Sequence, residues 1–234
     1  MHGTVGDHDM ITFSQLQVGY QRQAVAPEIS LHLDAGSMTA LTGANGSGKS
    51  TLLKTLAGLL PAVSGRWAID STRAQIGWMP QRAELESHFP ITVFELVAMG
   101  CWARCGWFGG INRMLREEIM ACLEKVNMAD FAQAQPGTLS GGQLQRVLFA
   151  RLLMQQCHVW LLDEPFSGID QNTTALLLKL LHQQHQQGGT LLVVLHDRAM
   201  VAHDFPQQLH LDEEKARFRS ALSVTASQPE VMAC

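Results

Sequence analysis

The chain has 234 residues, of which 46% are hydrophobic, enough for the core of one large domain or two small ones. Its formal net charge is −4 and no basic stripe runs along it, which argues against nucleic acid as the main partner. Five cysteines without paired spacing indicate reduced thiols, not a disulfide framework. The N-terminus lacks the pattern of a signal peptide, and no apolar run approaches the roughly 18 residues that span a bilayer.

The first predicted elements are the strands of a small antiparallel sheet. Residues 10–36 alternate with a period of two, in "MITFSQLQVGY" and then in "ISLHLDAGS". A short apolar strand, "MTALTG", follows at Met38 to Gly43. After a loop, the leucines of "STLLKTLAGLLP" have helical spacing, and we expect that helix to end at Pro61.

The loop between this strand and this helix, "GANGSGKST", is the first element that carries chemistry. Gly43, Gly48, Lys49 and Ser50 fit the pattern G-x-x-x-x-G-K-[ST]. Glycines let backbone N–H groups surround an anion, and the helix N-terminus adds partial positive charge. A glycine turn with a chance lysine is the plainer alternative, and the flanking strand and helix disfavour it. The predicted nucleotide-binding residues of the loop are Gly43, Ala44, Asn45, Gly46, Ser47, Gly48, Lys49, Ser50 and Thr51.

The rest of the chain alternates strands with helices. "SGRWAIDS" predicts another hairpin strand, and "AQIGWMPQ" predicts a short strand that ends at Gln81. Residues 90–135 have helical periodicity and predict a helical insertion. The helix "GGQLQRVLFARLLMQ" comes next, followed by two buried strands, "VWLLD" and "TLLVVLH", with a leucine-rich helix between them. This alternation predicts a mostly parallel α/β sheet, and the polar chain after Asp212 is predicted to be mobile.

Two carboxylates end the strand "VWLLDEP", where a parallel sheet presents its ligands. We expect Asp163 to hold Mg²⁺, directly or through water, and Glu164 to polarise a water that attacks the γ-phosphate. A strand-end turn with solvated acids is the alternative, which the phosphate-binding loop disfavours.

A second anion cradle is predicted where "LSGGQ" opens a helix. Ser140, Gly141 and Gly142 present N–H groups at the helix N-terminus, as the first loop does. Together with the glycine loop and "LLDEP", this motif resembles the ATP-binding subunit of an ABC transporter, and the resemblance runs from about Ile11 to Leu211. In that family two subunits pair head to tail, and each signature helix closes on the partner's ATP. The residues implied to contact ATP in trans are Ser140, Gly141, Gly142 and Gln143.

The resemblance implies an ABC ATPase fold in one domain spanning residues 1–234. This fold is α/β: a P-loop NTPase core with a mostly parallel sheet, a small antiparallel β subdomain and a helical signature subdomain. The helical subdomain is expected at about 83–157, where a membrane subunit docks, and a polar tail at about 212–234. The implied activity is ATP hydrolysis with ATP and Mg²⁺ as cofactors.

The resemblance also implies roles for single residues outside the loop. Tyr20 matches the aromatic that stacks on adenine, although an ordinary strand aromatic is the alternative. Gln81 matches the glutamine that senses Mg²⁺ and the attacking water, and His196 the switch histidine on the γ-phosphate. Asp170, in "SGID", matches the loop at the dimer interface. The implied catalytic residues are Glu164, His196 and Gln81, and the implied Mg²⁺ residues are Ser50, Gln81 and Asp163.

The cargo is implied by similarity of branch alone. "MPQRAELESHFPITVFELVAMG", "GWFGG" and "DEPFSGID" resemble the ATPases of zinc and manganese importers. Importers of iron-siderophores, haem or cobalamin are the alternative, and a non-transport ABC ATPase is a further one. The implied partners are a second copy, an integral-membrane permease and an extracytoplasmic binding protein, at the cytoplasmic face of the inner membrane. Cys101 and Cys105 lack a second pair at zinc-site spacing, so they predict no structural zinc.

Overall fold

A computed structural model describes residues 10–70, 76–81, 90–102, 110–212 and 214–220 of the chain. The strands are β1 (Met10–Gln17), β2 (Gly19–Tyr20), β3 (Gln23–Ala24), β4 (Ile29–Leu33), β5 (Met38–Gly43), β6 (Ser64–Asp70), β7 (Ile76–Met79), β8 (Val159–Leu162), β9 (Thr190–Val194), β10 (Gln207–Leu211) and β11 (Ala216–Ser220). The α-helices are α1 (Lys49–Leu56), α2 (Val93–Ala98), α3 (Arg113–Lys125), α4 (Gly141–Gln155), α5 (Gln171–Gln186) and α6 (Arg198–Asp204).

A mostly parallel sheet forms the centre of the molecule, as predicted. Its strand order is β11-β10-β5-β9-β8-β7, and only the pairing of β10 with β11 is antiparallel within the described strands. Every residue of β8 and β9 is buried, which explains why their sequences read as unbroken apolar runs. The parallel strands end at one edge, so the residues that follow β5, β7, β8 and β9 meet there.

The sheet separates two hydrophobic clusters, and the alternation along β8 shows how. Trp160 and Leu162 pack into the cluster that contains α2, α3 and α4. Val159 and Leu161 pack into the cluster on the other face, with α1 and the antiparallel sheet. Each of these side chains is at most 1% exposed. Full burial of such a side chain contributes about 1.5–3 kcal/mol, so both faces stabilise the sheet.

The small antiparallel sheet has the order β4-β1-β6. It confirms the period-two prediction, but the predicted hairpin for "SGRWAIDS" is wrong. β6 pairs with β1, in a register that joins Ile11 to Ile69 and Phe13 to Trp67. The partner lies far back in the sequence because α1 and β5 intervene, so the pairing depends on tertiary packing and not on a local turn.

The helices of the predicted insertion are α2 and α3, and α4 packs on both. A capping box fixes the start of α2, where Thr92 N donates to Glu95 Oε2 over 2.7 Å and Glu95 N donates to Thr92 Oγ1 over 3.2 Å. Residues 83–89, at the expected beginning of this subdomain, lie outside the described residues, as does most of the "CGWFGG" stretch.

Two expected boundaries are corrected by the structure. The helix α1 ends at Leu56 and not near Pro61, because Gly58 has a φ of +74° that no α-helix accommodates, and Leu59 is 58% exposed. The chain after Asp212 does not begin as a polar tail. Instead, Ala216–Ser220 form β11, which pairs antiparallel with β10 at the sheet edge. Residues 221–234 lie outside the described part.

Among the described helices, none combines the length and the apolar character that crossing a bilayer requires.

Candidate functional site

The glycine loop turns sharply at two positions where a side chain would collide with the backbone or a neighbour. Gly43 has a φ of +151°, and a Cβ there would lie 2.5 Å from Leu211 O and 2.6 Å from Ser47 Oγ. Gly48, at the start of α1, has a φ of +87°, and its Cβ would lie 2.6 Å from Ala26 Cβ. Only glycine combines these backbone angles with these close approaches, so the loop can fold tightly against the N-terminus of α1.

Lys49 is the cation of this loop, and it is already engaged by the loop itself. Its side chain lies folded back, so that Nζ donates to Gly43 O over 3.0 Å and to Ala44 O over 2.7 Å. The residue is 6% exposed. Burial lowers the pKa of Lys49, while the nearby charges of Glu164 and Asp163 oppose that shift. The ammonium group is therefore placed to exchange two carbonyl contacts for a phosphate.

Asp163 and Glu164 follow β8 and have different environments. Asp163 is 1% exposed, and its backbone N–H donates to Met79 O over 3.0 Å, which ties the end of β8 to the end of β7. Glu164 is partly exposed and has a φ of +51°. A non-glycine residue in that region stores strain of roughly 1–3 kcal/mol, and such strain concentrates at functional sites. The two neighbouring carboxylates thus differ in burial and in backbone conformation.

The Glu164 carboxylate is held from both sides. Gln81 Nε2 donates to Glu164 Oε2 over 3.0 Å, and His196 Nε2 lies 2.8 Å from Glu164 Oε1. Gln81 comes after β7, Glu164 after β8 and His196 after β9, which are neighbouring parallel strands. The sheet order therefore brings together three residues that are more than 80 positions apart at their extremes. Each carboxylate oxygen has one of these partners and can still accept a hydrogen bond from a water.

One cavity collects most of the residues predicted to act on a nucleotide bound to the same chain. Its volume is about 680 Å³, and Tyr20, 48% exposed, lies at its lining together with the loop. Thr51 Oγ1 lies 3.5 Å from the Tyr20 hydroxyl. The lining residues are Tyr20, Val25, Asn45, Gly46, Gly48, Lys49, Ser50, Thr51, Gln81, Glu164 and His196.

The other predicted loop residues line an adjoining cavity. Gly43, Ala44 and Ser47 border a space of about 1350 Å³ that shares Asn45 and His196 with the smaller cavity. The two spaces therefore meet at the glycine loop.

The second predicted cradle is built by local contacts at the start of α4. Ser140 caps the helix, where its Oγ accepts a hydrogen bond from Gln143 N over 3.3 Å. Ser140 N in turn donates to Gln143 Oε1 over 2.8 Å, which completes a capping box. Neither Gly141 nor Gly142, nor the two capping residues, lines either of the two cavities of the described chain.

Comparison with known proteins identifies this arrangement. The family model described as "ABC transporter" matches residues 27–167. The chain belongs to the ABC transporter family. It is 38% identical over 204 residues to a manganese transport system ATP-binding protein of Listeria innocua, covering 85% of each chain. It is 36% identical over 207 residues to a zinc transport system ATP-binding protein of Treponema pallidum, covering 86% of this chain and 78% of that one.

Solved ABC structures have the same fold. An inward-facing metal-chelate type ABC transporter superposes with a TM-score of 0.81 at 28% identity, over 92% of this chain and 85% of that one. A bacterial ABC transporter cassette solved as a dimer superposes with a TM-score of 0.78 at 26% identity, over 90% and 98%. The chain is therefore an ABC cassette that binds nucleotide and hydrolyses ATP.

Asp170 has a local role in this ABC cassette that its predicted place at a dimer interface did not suggest. It caps α5, where Oδ1 accepts from Thr173 N over 2.9 Å and Oδ2 accepts from Thr173 Oγ1 over 2.7 Å. These bonds, the backbone bond first, lower the pKa of Asp170. Asp170 is exposed, so the cap leaves it accessible from outside the chain.

Sequence reasoning missed two residues of the ABC cassette's site. Val25 lines the nucleotide cavity at 37% exposure. It directly follows β3, in the loop that leads to β4, and a single apolar residue in such a loop gives no local signal. Gln145, inside α4, donates to Pro165 O over 2.6 Å while only 2% exposed. A buried glutamine in an otherwise apolar helix face is the signal that could have singled it out.

Proposed function

We propose that this ABC ATPase uses Mg-ATP to power the import of a divalent metal ion, manganese or zinc, through a membrane permease. The observation that carries the proposal is the cavity that gathers Lys49, Gln81, Glu164 and His196, in a chain 36–38% identical to proteins named for manganese and zinc transport. A cation, a carboxylate and two polar groups around a phosphate-binding loop are the elements that phosphoryl transfer to water needs.

ATP binding falls to the glycine loop and Tyr20. The backbone N–H groups of residues 43–51 cradle the phosphates at the N-terminus of α1, and Lys49 Nζ leaves the two carbonyls it now contacts to bind the β- and γ-phosphates. The partly exposed ring of Tyr20, at the lining of the same cavity, stacks on adenine.

The Mg²⁺ site is formed by Ser50, Gln81 and Asp163. Ser50 and Gln81 line the nucleotide cavity with oxygen atoms, the ligands that Mg²⁺ prefers, and Asp163 is within electrostatic range of Lys49. The residues present therefore fit the ion. When bound, Mg²⁺ neutralises charge on the phosphate oxygens.

Hydrolysis depends on Glu164 as general base. Each oxygen of its carboxylate has one side-chain partner, Gln81 or His196, and keeps a further lone pair that can take a proton from water. His196 then contacts the γ-phosphate and Gln81 the attacking water. The present contacts support this proposal because Gln81 and His196 each lie within 3.0 Å of the Glu164 carboxylate.

A second copy of the chain completes the site. Ser140, Gly141, Gly142 and Gln143 line neither of the two cavities described above, yet they form a partly exposed helix N-terminus suited to an anion. We assign these four residues to the partner's ATP in a head-to-tail dimer, with Asp170 at the interface. The similar bacterial cassette solved as a dimer supports this assembly.

The permease docks on the helical subdomain, at about residues 83–157. Exposed apolar side chains in its described part support this surface: Trp102 is 57% exposed, Ile111 42% and Met114 65%. Through this contact the chain is a peripheral subunit at the cytoplasmic face of the inner membrane, and an extracytoplasmic binding protein delivers the cargo. We propose no nucleic-acid partner, because a net charge of −4 does not favour binding to phosphate backbones.

Manganese or zinc is preferred over chelated cargo. Several relatives at 36–40% identity are named for manganese, zinc or metal transport. The metal-chelate type transporter is less similar, at 28% identity. Iron-siderophores, haem and cobalamin are therefore the less favoured substrates.

The test pairs metal uptake with ATP turnover. Vesicles that contain the permease and binding protein encoded beside this chain should take up Mn²⁺ or Zn²⁺ only with ATP and the wild-type subunit. At saturating Mg²⁺, free Mn²⁺ or Zn²⁺ should not stimulate the isolated subunit. Stimulation of the isolated subunit by micromolar metal would instead make the chain a metal sensor, and uptake of haem or a siderophore alone would reassign the cargo.

A further inference from the structure

Gln145 is buried in a position where an apolar residue would ordinarily stand. It lies in α4, shortly after the cap Ser140, and its side chain is 2% exposed. Nε2 donates to Pro165 O over 2.6 Å, and Oε1 is buried and accepts no hydrogen bond within the described chain. A buried amide oxygen without a hydrogen bond lowers the free energy of unfolding, so glutamine here stabilises the fold less than a methionine of similar size would.

A second contact joins the same two segments closer to the helix start. A Cβ on Gly142 would lie 3.3 Å from Asp170 Oδ2 and 3.4 Å from Thr173 Oγ1. The first turn of α4 therefore packs directly on the capped N-terminus of α5, and glycine permits that approach. Together with Gln145, it fixes α4 to both ends of residues 165–170.

Residues 164–170 are a compact turn and not a slack linker. Ser167 N donates to Glu164 O over 3.2 Å, and Phe166 and Ile169 pack against the larger hydrophobic cluster. Pro165 directly follows Glu164, and its fixed φ leaves it fewer ways to absorb a displacement of its own carbonyl. Such a displacement is therefore shared with the rest of the turn, which the Ser167 N–Glu164 O bond ties to Glu164, a residue already strained at a φ of +51°.

We propose that Gln145 is a positioning residue that couples the two ATP sites of the dimer. It passes the movement of the α4 N-terminus, which contacts the partner's ATP, to Glu164 in the pocket of its own chain. The proposal rests on the head-to-tail dimer and on the role of Glu164 proposed above. The hydrogen bond is short and dry, and α4 is a rigid helix, so closure on one ATP repositions the base at the other.

A mixed dimer of two full-length chains, carrying different affinity tags, tests this coupling. The reporter subunit keeps Glu164, so its pocket performs all the hydrolysis. The other subunit carries either Glu164→Gln, which fills its pocket with ATP, or Lys49→Ala, which leaves that pocket empty. Sedimentation sets a protein concentration at which both pairings remain dimeric. The ratio of the two turnover numbers measures how far occupancy of one site controls the other.

The reporter is then varied at Gln145, with a matched control. Gln145→Met removes the donor and keeps the length of the side chain, while Gln183→Met makes the same change on the exposed side of α5. For the wild-type and Gln183→Met reporters, we expect turnover about tenfold higher when the partner pocket is filled than when it is empty. For Gln145→Met we expect a ratio of about one to two, with the KM for ATP unchanged and kcat reduced.

Each outcome has a distinct meaning. An equal ratio in all three reporters would overturn the role of Gln145 and leave the dimer standing, as would a raised KM with the ratio intact. If the wild-type reporter had the same turnover with a filled and with an empty partner pocket, the dimer proposal would be overturned, and the coupling with it. If circular dichroism shows that Gln145→Met is unfolded, Gln145→Asn, whose amide is too short for the bond, must give the same loss of coupling.

Discussion

The glycine loop and the start of α4 both present the N-terminus of a helix to an anion, yet the fold supports them differently. At the glycine loop, Lys49 is held by carbonyls of its own loop, and residues from distant parts of the chain, Gln81 and His196, hold Glu164 beside it. At α4, the capping box joins Ser140 only to Gln143 of the same turn.

The difference shows which part of the site a single chain assembles by itself. The pocket at the glycine loop is assembled by the sheet, which places the ends of neighbouring strands side by side, so its chemistry is present in a single subunit. The start of α4 is assembled by local sequence and meets no catalytic group of its own chain among the residues that line the two cavities. Direct contact between the start of α4 and a nucleotide is therefore proposed only for the ATP of another molecule.

Among these substitutions, loss of Lys49 should have the largest effect on ATP binding and turnover. Lys49→Ala removes the lysine that lines the nucleotide cavity with the loop, and charge-assisted contacts to phosphate are roughly twice as strong as neutral ones. We expect no productive ATP binding and no turnover above background in nucleotide titration and phosphate release. Lys179→Ala, on the exposed side of α5, is the control and should retain both. Unchanged affinity and turnover in Lys49→Ala would remove this residue from phosphate binding.

Replacing the base should separate binding from hydrolysis. Glu164→Gln keeps the shape of the side chain and loses its basic oxygen, so turnover should fall by about 10²–10⁴ while ATP remains bound. Trapped ATP should then hold two subunits together, and sedimentation with ATP should show a dimer. The exposed Glu124→Gln is the control. A Glu164→Gln subunit that stays monomeric while holding ATP would contradict the shared site.

A change at Ser140 tests the other side of the comparison. Ser140→Ala should lower turnover of the dimer by roughly tenfold, because a hydrogen bond to a charged group contributes about 1.5–3 kcal/mol. ATP affinity of the monomer, measured at high dilution, should not change, since Ser140 lines neither cavity of its own chain. Ser64→Ala, an exposed hydroxyl on β6, should affect neither quantity. Weaker binding to the monomer would place Ser140 in the pocket of its own chain.

The smallest expected effect is a pH dependence at Asp170. Hydrogen bonds from Thr173 lower the pKa of Asp170 from its ordinary value of 3.8, so its contribution to stability is complete above that value. The contribution is lost as the pH falls through the lower folded-state pKa. Asp170→Asn keeps an oxygen for the cap but does not titrate. Its melting temperature should therefore fall less than that of the wild type between about pH 5 and pH 3. Parallel curves would assign the acid sensitivity elsewhere.

Local signals made much of the fold and site predictable. Glycines, a lysine and a hydroxyl at fixed spacing revealed the loop from Gly43 to Thr51, and "SGGQ" predicted a helix that begins at Gly141, where α4 does begin. Unbroken apolar runs predicted β8 and β9 because both faces of these strands are covered. In each case the residues that decide the structure are neighbours in sequence.

The features that were missed depend on distant contacts. The pairing of β6 with β1 and the bond from Gln145 to Pro165 join residues that only the folded chain brings together. The early end of α1 did have a local cause, Gly58, but leucines at helical spacing on both sides concealed it. β11 alternates exposed charges with Phe218 at the sheet edge, a pattern that resembles a solvated tail until β10 is beside it.

The backbone of Glu164 sets the folding of this protein against its activity. An asparagine accepts a φ near +51° more readily than a glutamate, so Glu164→Asn would relieve the backbone strain while it removes the base and its contacts with Gln81 and His196. The strained glutamate is what a trade of stability for ATP turnover predicts at this position.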